Sequence, residues 1–148
     1  MIKVWRRIIA IAEVLGGILA LIATIFAAKA GASKPLILLG AGLDLLVIIS
    51  GILLWFKPAL GVVLSGIVQG LQCVQVFSVW LSWQYVAGVA LLVQVLKGEI
   101  TWGGGLLVRH TFLQAEGSGA RGLGVNLVAI AALVFLVMSQ KGMKRYRR

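Results

Sequence analysis

Two apolar runs, Ile8 to Ala28 and Leu36 to Phe56, constrain this chain more than any motif in it. As helices rising about 1.5 Å per residue, both are long enough to cross a hydrocarbon core about 30 Å thick. Basic residues bracket them: Lys3, Arg6 and Arg7 before the first, Lys29 and Lys34 between the two, Lys57 after the second. Composition agrees, since 61% hydrophobic residues, 12% charged residues and a mean hydropathy of +1.06 lie outside the range of soluble globular domains. The chain reads as one integral membrane domain over residues 1–148.

The first run follows a basic start and ends in small residues, as a signal peptide does. Its apolar length exceeds that of a signal core, however, and it contains an acid, so a retained helix is predicted. Lys34-Pro35 opens the second span and Lys57-Pro58 a third, because proline is tolerated in the first turn of a helix. A last span precedes the tail Lys141, Lys144, Arg145, Arg147 and Arg148. The predicted fold is a membrane all-α protein, a four-helix transmembrane bundle with spans at about 8–28, 36–56, 59–80 and 123–138.

Between the last two spans lies an extracytoplasmic segment, about 81–122, of which residues 81–96 admit three readings: a strand, a continuation of the third helix, or a fifth span. Trp83, Tyr85, Ala87, Val89, Leu91, Val93 and Val95 fall on one face at period two, with Ser82, Gln84, Gly88 and Gln94 on the other. Lys97-Gly98-Glu99 is a turn signal, Ile100 to Gln114 is again β-like, and Gly103 to Gly105 interrupt it as a bulge would. A short β-rich extracytoplasmic hairpin or small sheet is therefore predicted between helices 3 and 4.

Charge sets the expected orientation. With four spans, Lys3, Arg6, Arg7, Lys57 and the five tail cations share one side, against Lys29, Lys34, Lys97, Arg109 and Arg121 on the other. Both termini are then cytoplasmic by the positive-inside rule, in a multi-pass protein. Its small size and short connections suggest a prokaryotic cytoplasmic membrane. The net charge of +10 sits at span ends, which points to anionic lipid contact by the tail cations and away from nucleic acid.

Glu13 and Asp44 lie within the first two runs, where a carboxylate is costly unless paired, protonated or functional. Depth counting puts Ser65 near Glu13, and Gln69 and Gln72 near Asp44. Small and polar residues line one stripe on each helix: Glu13, Gly16, Gly17, Ala20 and Thr24 on the first, Gly40, Asp44 and Gly51 on the second, Gly61, Ser65, Gln69 and Gln72 on the third. The expected network is Asp44 with Gln69 or Gln72, and Glu13 with Ser65 or Thr24. It serves either helix register or a proton or cation path.

Cys73 is the single cysteine and His110 the single histidine, so no metal site or cofactor is expected. No nucleophile setting or phosphate loop is present, and no enzymatic activity is expected. Trp5, Trp55 and Trp80 lie at span ends as interfacial anchors, whereas Trp83, Tyr85 and Trp102 form a candidate partner surface. The resulting expectation is a non-enzymatic assembly or binding subunit, a homo-oligomer or the partner of another membrane protein. The alternative is an oligomeric channel or transporter using the intramembrane acids.

Overall fold

The computed structural model describes residues 2–78, 82–112 and 121–145. Four helices and four strands follow in the order α1 (Ile2–Lys29), α2 (Lys34–Phe56), α3 (Pro58–Cys73), β1 (Val74–Phe77), β2 (Ser82–Leu96), β3 (Glu99–Phe112), β4 (Gly122–Asn126) and α4 (Leu127–Arg145).

The helix ends follow local chemistry. Beyond α1 the chain closes through Ala32 N–H to Ala27 C=O at 3.0 Å, with Gly31 at φ 88°, a left-handed conformation that glycine adopts without steric cost. Pro35 and Pro58 occupy the first turns of α2 and α3, where a missing N–H costs no helical bond. Lys57, the residue between those helices, donates its N–H to Leu53 C=O at 2.7 Å. At one end of the molecule the Arg7 guanidinium stacks over the Trp55 ring at 5.1 Å, joining α1 to the end of α2.

The four-span bundle is not what forms. Among the described residues only α1 and α2 are long and apolar enough to cross a membrane. The 16 residues of α3 reach about 24 Å, short of the core thickness, because the helix stops at Cys73. Val74-Gln75-Val76-Phe77, which the sequence pattern assigns to the third span, is a strand. Likewise Gly122 to Asn126 is strand β4 at the place where a fourth span was expected, and the apolar part of α4 runs only from Leu127 to Gln140. In β1 the β-branched and aromatic residues Val74, Val76 and Phe77 favour strand over helix once partner strands are available, and in β4 the glycines Gly122 and Gly124 weaken the helical alternative.

Those strands build a four-stranded antiparallel sheet in the order β1-β4-β2-β3, with β1 also pairing the start of β2. β2 and β3 form a long hairpin whose two-residue turn, Lys97-Gly98, has both residues at positive φ, as a type I′ turn requires. Gly103 to Gly105 make no bulge, since they pair in unbroken register with Leu92, Leu91 and Ala90.

Nor is the sheet an extracytoplasmic appendage beyond the helix ends. Gly16, midway along α1, lies so close to β2 that a Cβ there would sit 2.6 Å from the Ala87 carbonyl oxygen. Next to Ala87, Gly88 takes φ +112°, and burial along β2 changes at this point. Before Gly88 both faces are covered, with Tyr85 and Ala87 against helices and Gln84 and Val86 inside the sheet. Beyond it Ala90 and Leu92 stay buried while Val89, Leu91 and Val95 are exposed.

One core cluster, Ala20, Val47, Val68, Tyr85 and Ala87, joins three helices to β2. A second, Ala10, Leu54, Val62 and Leu136, joins all four helices. A third, Val86, Ala90 and Leu92, belongs to β2 alone.

Candidate functional site: two carboxylates and a lateral cleft

Glu13 is held by three donors from two neighbouring helices. Its Oε2 accepts from Ser50 Oγ on α2 at 2.9 Å and from Ser65 Oγ on α3 at 2.7 Å, and its Oε1 accepts from Gln69 Nε2 at 2.9 Å. Ser50 also lies 2.8 Å from the Val47 carbonyl oxygen, and its single O–H serves one acceptor at a time. Asp44 has a different environment. Thr24 Oγ1 on α1 donates to its Oδ2 at 2.8 Å, and the Tyr85 phenol on β2 lies 3.4 Å from its Oδ1. Both carboxylates are buried, Glu13 at 3% exposure and Asp44 at 0%.

The predicted pairings are thus redistributed. Ser65 bonds Glu13, but Gln69 does so too instead of bonding Asp44, and Thr24 bonds Asp44 instead of Glu13. Gln72 reaches neither acid; its Oε1 accepts the Ala87 N–H at 3.4 Å. Depth counting paired Glu13 with Ser65 correctly but did not resolve one helical turn, so Gln69, one turn on, was assigned to the wrong acid. It also placed only helices, so a strand tyrosine was beyond its reach.

Gln72 and Asn126 answer a backbone need. One edge of β2 pairs fully with β3, while the other pairs with β1 only at Ser82 and Trp83 and with β4 only from Leu92 onward. Between them the strand lacks a partner, and an unpaired buried N–H is expensive. Gln72 takes the Ala87 N–H, and Asn126 Oδ1 takes the Leu91 N–H at 3.3 Å. The same Asn126 oxygen accepts from Val128 and Ala129 N–H, capping α4. Nearby, Gln75 Oε1 accepts from Gln84 at 3.3 Å and from Gln94 at 2.5 Å. The Gln75 and Asn126 amide nitrogens are buried without a hydrogen-bond partner among the described residues. The sequence reading missed this amide group; its signal was the recurrence of glutamine and asparagine on inward strand positions.

A cleft of about 490 Å³ opens between α1, α4 and β2. Trp5, Ile8, Val89, Val128, Ala132 and Phe135 are among its walls, and Glu13, Gln69 and Gln72 line it as polar groups. No protein-family model matches this sequence, and comparison with curated proteins and with solved structures finds no relative. Function must therefore be argued from the cleft and its chemistry.

The proposed aromatic partner surface divides into three environments. Tyr85 is buried at 1% exposure, Trp83 is half-buried and donates its indole N–H to Leu71 C=O at 3.3 Å, and Trp102 on β3 is 81% exposed. Trp55 and Trp5 are both exposed near one end of the helices. Trp80 lies outside the described residues. Lys141, Lys144 and Arg145 belong to the last turns of α4, and Arg147 and Arg148 lie outside the described residues. No group of three or more His, Cys, Asp or Glu that would hold a metal occurs among the described residues.

Proposed function

We propose that the protein is a non-enzymatic membrane binding subunit, anchored by the α1–α2 hairpin, that receives an apolar ligand in the cleft between α1, α4 and β2. One observation carries this reading: the cleft of about 490 Å³ has apolar walls and a few convergent polar groups, the usual build of a small-molecule site. Membrane placement is supported by the outer faces of the two long helices, where Ile11, Leu15, Ile18, Ile22 and Phe26 on α1 and Leu38, Leu45 and Ile49 on α2 are exposed. Contiguous apolar exposure of this kind needs lipid or protein cover. In this placement β2 lies at membrane depth, and the side-chain acceptors Gln72 and Asn126 meet the condition for non-helical backbone there. Lys3, Arg6, Arg7 and Lys57 then mark the cytoplasmic end, where the basic end of α4 contacts anionic lipid.

The test is native mass spectrometry of the full chain released from lipid nanodiscs. Wild type should retain a small apolar molecule and Ala132→Trp, which fills the cleft, should lose it; equal occupancy would overturn the reading. A competing reading, an ion or proton path through the acids in an oligomeric channel, is favoured by Glu13 reaching the cleft. It is opposed by the enclosure of Asp44 between Thr24 and Tyr85. Flux in liposomes that vanishes in both Glu13→Gln and Asp44→Asn would favour the path.

A further inference from the structure

Resting on the cleft reading, we propose that the occupant is a lipophilic cation, an apolar amine in its protonated form, whose N–H bonds Glu13 Oε1. Three features of the site converge on that chemistry. The first is charge: among the described residues, every group that hydrogen-bonds Glu13 is a neutral hydroxyl or amide, at 2.7 to 2.9 Å. A carboxylate at membrane depth is stabilised far better by an opposite charge than by neutral dipoles alone.

The second is acceptor capacity. A carboxylate oxygen offers about two lone-pair directions. Oε2 takes Ser65 and shares the Ser50 proton with Val47 C=O, whereas among the described residues Oε1 takes only Gln69 and keeps one direction, on a residue that lines the cleft. Asp44 does not line the cleft, which has one carboxylate and hence room for one cationic centre.

The third is the wall. Trp5 and Phe135 are among the residues lining the cleft, and aromatic side chains attract cations while accepting apolar groups. An acyl carboxylate or phosphate would meet like charge at Glu13, and a neutral hydrocarbon would leave the acceptor on Oε1 unused. A drug-sized amine matches both the walls and a volume of about 490 Å³.

The test compares phenylbutylammonium with its uncharged analogue phenylbutanol, bound to the full chain in phosphatidylcholine nanodiscs. Ala132→Trp discs serve as the partition background. Wild type should bind the ammonium at least about tenfold more tightly than the alcohol above that background, and Glu13→Gln should abolish the difference while leaving alcohol binding in place. The wild-type comparison needs no variant, so misfolding of Glu13→Gln leaves the test intact. Equal binding of the two probes would overturn the cation proposal and leave the cleft reading standing. Binding of neither above background would overturn both.

Discussion

The two buried carboxylates differ in who satisfies them. Among the described residues Glu13 is served by α2 and α3 alone, and it borders a cleft. Asp44 is served by α1 and by a strand, and it fastens β2 to the helix pair through Tyr85. A polar group inside a membrane-type core can thus set helix register at one site and join two kinds of secondary structure at the other. The first arrangement leaves an acceptor to spare; the second encloses its acid completely.

The contrast can be broken experimentally, and the largest effect should come from Asp44. Asp44→Ala removes a buried acceptor from the Thr24 hydroxyl and the Tyr85 phenol, with an expected loss of about 3 kcal/mol in unfolding measured in mild detergent. Hydrogen exchange at β2 amides should rise with it; unchanged β2 protection would show that Asp44 does not hold the strand. Tyr85→Phe removes one donor at 3.4 Å and keeps the ring in its core cluster, so a smaller loss of about 1 kcal/mol is expected. If its double-mutant cycle with Asp44→Ala gave strict additivity, the strand-to-helix bond would carry no energy.

Ser50→Ala should have the smallest effect, about 0.6 kcal/mol, because Ser65 and Gln69 still serve Glu13 and the Ser50 proton is shared with Val47 C=O. β2 exchange should not change. A loss as large as that of Asp44→Ala would erase the distinction between the two sites.

The helical hairpin was legible because its two apolar runs are long and its punctuation, Lys34-Pro35 and Lys57-Pro58, is sharp. The β2–β3 turn was legible from Lys97-Gly98. What misled the reading was hydropathy without length: Val74 to Phe77 and Gly122 to Asn126 adjoin apolar helices, and pairing with each other and with β2 makes them strands. At the Glu13 site Ser65 and Gln69 were found because they recur on one helix face, with Gln69 assigned to Asp44, whereas Ser50 was missed. Tyr85 was grouped with Trp83 and Trp102 as a partner surface because these aromatics cluster in the outer segment, whereas helices cover its side of β2 before Gly88 and leave that side open beyond.

The cleft has walls from the first and last described helices, with β2 between them. Its contacts therefore close over very long chain separations: Gly16 must meet Ala87, and Ile8 must face Phe135. Such loops form late in folding, because their closure entropy is spent before any contact repays it. During biogenesis, the α1–α2 hairpin can enter the bilayer as soon as it is made, yet no cleft exists until the sheet has docked and α4 has followed it. On the proposed function, a nascent chain still lacking α4 would be anchored and empty, and ligand capture would report completed assembly.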